Sequence, residues 1–134
     1  MVSGEARERI GSEIVRLQSE YYGRGPSKAK THVEGDVVVV VLEESFTRAE
    51  KTLISRGEAE GIQDIRRRFQ RAMADQFKSV VEQATGRQVR SFFSDTDLEQ
   101  DVSVEVFILA GEEGFEGPTG LTPRSARGPG LRAR

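Results

Sequence analysis

The apolar run Val37–Leu42 constrains the fold more than any other part of this 134-residue chain. Successive side chains of a β-strand point to opposite faces of the sheet, so a strand of five valines and a leucine is apolar on both faces. Such strands lie inside a sheet, with cover on each side. The sequence therefore predicts a central strand over residues 36–43, covered by helices of this chain or by a second subunit. The run is far shorter than the ~20 residues that a membrane span needs.

The segments around this strand predict a helix and a hairpin. Apolar residues recur four, three and four positions apart over residues 5–22, which is the spacing of one helical face. They are Ile10, Ile14, Leu17 and Tyr21. The turn signal Gly35-Asp36 joins the central strand to a half-exposed strand over 29–34.

The second half of the chain predicts two helices and another hairpin. Thr47 and Glu50 have the spacing of a capping box, which begins a short helix over about 47–55. A long helix over 59–85 ends at Gly86, which is typical of a helix C-terminus. Its predicted apolar stripe consists of Ile62, Ile65, Phe69, Met73, Phe77, Val80 and Ala84. Strands over 88–94 and 102–109 follow, joined by an acidic loop.

Together these segments predict one α+β domain over residues 1–110. Its order is helix, hairpin, helix, long helix, hairpin, and the simplest packing is a four-stranded sheet with helices packed on it. Residues 111–134 contain six glycines and three prolines and have no apolar periodicity. This composition predicts a disordered Gly/Pro/Arg-rich tail.

Charge and composition narrow the function classes. The 20 basic and 22 acidic residues give a net charge of -2, whereas a general nucleic-acid binder normally has a basic excess. The chain has no cysteine, which excludes disulfides, thiolate metal sites and cysteine nucleophiles. The N-terminal residues lack the apolar run of a signal peptide, so we expect a cytoplasmic protein without direct membrane insertion.

Two features that could carry chemistry have simpler interpretations. His32 is the single histidine, and neither a set of metal ligands nor a catalytic triad is visible around it in the sequence. The acidic loop 95–101 resembles the start of a calcium loop, but Gln100 and Val106 occupy the places of the required Gly and bidentate Glu. We therefore expect no metal site, no cofactor and no catalytic residues, and we predict that the protein is not an enzyme.

The candidate binding residues are arginines. Gly23 and Gly25 flank Arg24 in a turn before Pro26, and this turn could present the guanidinium to a carboxylate or phosphate. A plain helix stop explains the same residues. Within the basic segment 66–71, helical geometry places Arg67 and Arg71 on the outer face of the long helix. A solvated, salt-bridged surface is the alternative, because charge runs alone are weak signals.

Several of these segments, taken together and in order, resemble one bacterial and archaeal domain family. The family is named for the MpsC component of a sodium-translocating, membrane-potential-generating system, and the resemblance covers about residues 5–110. The segments are Tyr22-Gly23-Arg24-Gly25-Pro26, Phe46-Thr47-x-x-Glu50-x-x-Leu53, Arg66 to Arg68, Thr85-Gly86-x-x-Val89, Asp95 and Val106-Phe107-x-Leu109.

The resemblance implies a small accessory or regulatory component that acts beside membrane ion-transport or inorganic-carbon-uptake proteins. It implies a protein partner, and self-association is a further expectation. It supplies no catalytic residues. The alternative hypothesis is an anion- or nucleic-acid-associated binding module that uses Arg24 and the segment 66–71.

Overall fold

The computed structural model describes residues 2–111 and has the predicted α+β architecture. The elements are α1 (Gly4–Tyr22), β1 (Lys28–Glu34), β2 (Val37–Glu43), α2 (Arg48–Ser55), α3 (Ala59–Thr85), β3 (Val89–Asp97) and β4 (Val102–Leu109). The predicted order of helices and hairpins is therefore confirmed. The predicted disordered tail covers residues 111–134. Residues 112–134 lie outside the described part of the chain, so this stays a prediction.

The four strands form one antiparallel sheet in the order β1-β2-β4-β3. Each hairpin pairs its own strands, and the two hairpins join through β2 and β4. The strand with the long apolar run is thus an inner strand, as predicted. Its register aligns Val39 with His32 of β1 and with Val106 of β4.

The core lies between one face of this sheet and the two long helices, α1 and α3. Side chains at every second position of β2 and β4 point into it, which is the period of two expected for a strand. The buried apolar cluster consists of Ile10, Ile14, Leu17, Val38, Val40, Leu42, Met73, Phe77, Val81, Phe107 and Leu109. The alternate side chains Val37, Val39 and Val41 point to the opposite face and are only half-buried.

The two faces of β2 differ in what covers them. Helices of the same chain cover the Val38 face of the sheet. Within residues 2–111, no helix of the core packs on the Val39 face.

The turn after α1 shows why the two glycines are needed. Gly23 ends the helix with φ at 79°, a left-handed conformation that a side chain makes costly. At Gly25 the constraint is space, because an added Cβ would lie 2.3 Å from Ser19 Oγ and 3.2 Å from the Val15 carbonyl oxygen. Pro26 is buried directly after them.

One expectation for α3 was wrong. Ile65 is 45% exposed, although the apolar periodicity placed it in the core stripe. Arg66, the next residue and part of the basic segment 66–71, is only 1% exposed. The first part of α3 packs against α2, where a polar partner for Arg66 is available.

Candidate functional site

The centre of the polar interior is the guanidinium of Arg66. Its Nε and Nη2 atoms donate hydrogen bonds to both carboxylate oxygens of Glu50, at 2.7 and 2.6 Å. Nη1 also donates to Ser45 Oγ at 3.2 Å, and Nη2 to the Ser45 carbonyl oxygen at 3.3 Å. The buried arginine is therefore paired bidentately, as a charge removed from water requires.

Two aromatic rings complete the surroundings of Arg66. The centre of its guanidinium lies 4.2 Å from the ring centroid of Tyr22 and 5.1 Å from that of Phe46. These distances fall within the range of cation–π contacts. Burial raises the pKa of Tyr22 to about 12, although the positive charge of Arg66 acts in the other direction. The tyrosine is a neutral wall of the cluster at any physiological pH.

Glu50 connects this cluster to the start of α2. Thr47 Oγ1 accepts a hydrogen bond from the Glu50 backbone amide at 3.1 Å, and Glu50 Oε1 accepts one from the Thr47 amide at 2.9 Å. Burial alone would raise the pKa of Glu50, but the hydrogen bonds from Arg66 and Thr47 outweigh it and hold the pKa below its usual value. The carboxylate therefore serves as both helix cap and counter-ion.

Arg24 and Asp101 hold the loop between β2 and α2. Arg24 Nη1 donates to the carbonyl oxygen of Phe46 at 2.5 Å. Asp101 Oδ1 accepts from the Ser45 amide at 3.0 Å, and its Oδ2 accepts from the Phe46 amide at 3.2 Å. Arg24 is thus half-buried against the protein, rather than projecting from an exposed turn as the sequence suggested.

Glu105 lies on β4 near the same cluster and is 1% exposed. Its burial raises its pKa to about 8, while Ser94 and the positive charge of Arg66 oppose the shift. Among the described residues, Glu105 Oε1 and Ser94 Oγ have no hydrogen-bond partner. Sequence reasoning missed Glu105, because residues 102–109 have the pattern of an ordinary alternating strand.

A second feature is a basic groove between α3 and β3, with a volume of about 510 Å³. Its cationic side chains are Arg67, Arg71 and Lys78 from α3 and Arg90 from β3. Gln70, Ala74, Ser91, Phe92 and Ser94 line the rest. Within the part of the chain that the structure describes, no carboxylate is among these lining residues. We refer to this feature below as the basic groove.

The basic groove brings together two of the three predicted binding residues, Arg67 and Arg71. Lys78 could have been added from the sequence, because it follows Arg71 by seven positions and lies on the same helical face. Arg90 could not, since only the packing of α3 beside β3 places it there. Arg24 and Arg66 belong instead to the polar contacts around the Arg66 guanidinium and the loop before α2, which we call the buried cluster.

The comparison with known families is decisive. Residues 3–111 match a family described as the Na+-translocating membrane potential-generating system (MpsC). This chain belongs to the MpsC family. It is also similar to the uncharacterized protein YbcI of Bacillus subtilis (strain 168), with 28% identity over 112 residues that cover 81% of this chain and 89% of YbcI. No solved structure is significantly similar to it.

The MpsC match spans every helix and strand, so the buried cluster and the basic groove both lie in the family domain. Three of the segments that suggested the family meet in one place. Tyr22, Phe46 and Glu50 each contact the buried guanidinium of Arg66. These segments are therefore joined by one network of hydrogen bonds and cation–π contacts.

The remaining candidates in this MpsC domain lie apart from the cluster. His32 is exposed on β1. In the acidic loop, Asp97 Oδ1 accepts hydrogen bonds from the amides of Glu99 and Gln100, which is a local turn. Across residues 2–111, no group of three or more His, Asp or Glu side chains is placed to hold a metal ion. The same residues include no helix long and apolar enough to cross a membrane.

Proposed function

We propose that this chain is a non-enzymatic accessory domain of a membrane ion-transport system, acting at the cytoplasmic side. In this proposal, the basic groove binds an acidic segment of a protein partner in that system. Membership of the MpsC family supports the link to a membrane ion system. The observation that carries the binding site is the convergence of four cationic side chains on one groove without a carboxylate among its described lining residues.

The chemistry of the groove fits a carboxylate-bearing ligand. Arginine presents a planar fork of N–H donors that can bind a carboxylate through two parallel hydrogen bonds. Arg67 and Arg71 lie one helical turn apart, so they can contact carboxylates at neighbouring positions of a peptide. The half-buried ring of Phe92 adds an apolar surface at the floor. A groove of about 510 Å³ accommodates several side chains of such a segment.

The alternative is an anion- or nucleic-acid-associated module, and the basic groove also favours an anionic ligand. Its proposed residues reduce to Arg67 and Arg71, because Arg24 and Arg66 bind groups of the protein itself. The net charge of -2 weighs against a broad nucleic-acid surface.

A photo-crosslinking amino acid at Ala74, inside the groove, tests the proposal in cells that naturally make this chain. We expect an adduct with a membrane ion-transport component, mapped to an acidic segment of that protein. The charge reversals Arg67→Glu and Arg71→Glu together should reduce the adduct about tenfold or more, because each desolvated charge contact contributes strongly. A matched control reverses two exposed cations outside the groove, Arg9 and Lys51.

The outcomes separate the two hypotheses. An adduct that persists in the groove variant, or that falls equally in the control, contradicts the groove as the binding site. A gel shift with nucleic acid that weakens steeply with salt and disappears in the groove variant would favour the alternative.

A further inference from the structure

The sheet face opposite α1 and α3 is apolar at its centre; we call it the open face. Side chains that are directly paired in an antiparallel sheet lie on the same side, so the register defines its members. The inner strands contribute Val37, Val39, Val41, Val102, Val104, Val106 and Ile108, all half-buried. Phe93 lies beside Val106 and is 61% exposed.

Toward one end of the strands, the two edges of the open face carry opposite charges. On β1, the residues that point to this face include Lys28 and Lys30, and on β3 they include Asp95 and Asp97. All four are exposed. One row across the sheet reads Lys30, Val41, Val104, Asp95, and the next reads Lys28, Glu43, Val102, Asp97. At this end of the strands the face is therefore basic at the β1 edge and acidic at the β3 edge, with Glu43 between them. Glu34 lies at the other end of the β1 edge.

We propose that a second copy of this chain covers the open face, in a symmetric dimer whose sheets pack face to face. The two-fold axis runs parallel to the strands and midway between the sheets. Rotation by 180° about this axis reverses the order of the strands across the sheet, but it leaves every residue at the same height along the strand direction. It therefore places Lys30 opposite Asp95 of the partner subunit and Lys28 opposite Asp97 of the partner subunit.

Charge complementarity selects this axis over the other simple one. A two-fold axis perpendicular to the strands would place β1 over β1 and β3 over β3 with their directions reversed. Lys28 would then lie opposite Glu34 of the partner subunit, but Asp95 and Asp97 would have no cation opposite them. The parallel axis gives both aspartates a lysine partner, so complementary charges favour it. Sheets that pack aligned keep their strands within about 30° of each other, which preserves the pairing of the edges.

The size of the open face indicates a reversible dimer. Four strands spaced about 4.8 Å apart and seven residues long span roughly 19 by 23 Å, or about 440 Å² of projected surface in each protomer. Two such faces total roughly 900 Å², at the low end for specific interfaces. An apolar centre with a charged rim is the usual composition of such a surface. The open face and its residues are distinct from the cations of the basic groove, so the dimer does not depend on the proposed function.

Sedimentation equilibrium of the full chain, from about 1 to about 100 μM, tests the proposal, since a small interface corresponds to an affinity near this range. We expect a monomer–dimer equilibrium. Phe93→Lys should weaken it about tenfold or more by replacing an exposed aromatic ring of the open face with a charge. The matched control is Leu53→Lys. It makes the same kind of change, because Leu53 is also an exposed apolar residue (43%), but it lies on α2, away from the sheet.

A charge exchange tests the axis itself. Asp95→Lys and Lys30→Asp should each weaken the dimer, because like charges then face each other at two symmetric positions. The double variant restores opposite charges and should recover most of the affinity. Both positions are exposed, so these variants remain informative if Phe93→Lys fails to fold.

A chain that is monomeric at every concentration overturns the proposal, including a monomer whose open face is covered by residues 112–134. A dimer unaffected by Phe93→Lys would lie on another surface and overturns it as well. Failure of the charge exchange to restore affinity rejects the parallel axis.

Discussion

Arg66 and Glu50 form a bidentate ion pair between two helices, with Nε to Oε2 at 2.7 Å and Nη2 to Oε1 at 2.6 Å. Glu50 is the one buried residue of α2, and the apolar Leu53 of the same helix is 43% exposed. The short helix is therefore attached to the domain mainly through polar contacts. These contacts also fix the loop before it, because Arg66 binds the hydroxyl and carbonyl groups of Ser45.

Glu50→Ala should strongly destabilise the domain. Removing one partner of a buried ion pair leaves the other charge buried and uncompensated, which typically costs about 3–5 kcal/mol. Urea unfolding followed by circular dichroism measures this loss in the free energy of unfolding. Glu8→Ala, at an exposed position of α1, is the control and should stay within about 0.5 kcal/mol of the parent chain. A loss below about 1 kcal/mol for Glu50→Ala would mean that the pair contributes little net stability.

Thr47→Ala should cost less, about 1 kcal/mol, because it removes one N-cap hydrogen bond and leaves the ion pair in place. The same unfolding measurement checks the magnitude. Partner crosslinking at Ala74 should be unchanged in the folded fraction, since Thr47 is not one of the residues that line the basic groove. Loss of crosslinking without loss of stability would reassign Thr47 to a binding surface.

Local patterns were enough to predict the elements and their order. The capping box at Thr47 and Glu50 depends on spacing alone, and the glycine at each long helix's end depends on local backbone conformation. The inner position of β2 followed from its continuous apolar run. Each of these signals lies within a few consecutive residues, so it can be recognised in a single sequence without knowledge of the tertiary packing.

Long-range pairing was beyond those patterns. The strand order joins β2 to β4, whose paired residues are 59 to 71 positions apart in the sequence, and no local signal specifies it. Apolar periodicity placed Ile65 in the core, yet the buried position belongs to Arg66, because its partner Glu50 comes from another helix. A polar core position is invisible to a rule that counts apolar residues.

Substitutions at Ile65 and Ile62 separate the periodic pattern from the packing. Ile62 is 3% exposed, so Ile62→Ala should cost about 2–5 kcal/mol in unfolding free energy. Ile65 is 45% exposed, so Ile65→Ala should change it by less than about 1 kcal/mol. Thermal or urea unfolding of both variants gives the comparison. Equal losses at the two positions would mean that the apolar stripe, not the arginine, faces the interior at this turn.

Glu105 should make the domain less stable as pH rises. Its burial raises its pKa to about 8 from an ordinary value of 4.5, so at pH 7 the folded chain holds a proton that the unfolded chain has lost. The unfolding free energy therefore falls as pH increases between these two values, by about 1.4 kcal/mol per pH unit for one proton. Above pH 8 the folded state also ionises and the dependence levels off.

Glu105→Gln isolates this effect, because the amide resembles the neutral acid in shape but cannot ionise. The nearby Ser94 hydroxyl, which has no partner among the described residues, is available to accept a hydrogen bond from the new amide. We expect the variant to be more stable than the parent chain at pH 8 and to lose most of that advantage at pH 5. Urea unfolding at intervals between these values measures the difference, and Glu34→Gln on the exposed edge strand is the control. Glu50, whose pKa is lowered, weakens both chains equally as pH falls through its folded-state pKa, so it cancels in the comparison. Parallel curves for the parent and Glu105→Gln would show that Glu105 is ionised in the folded state, with Arg66 compensating its charge.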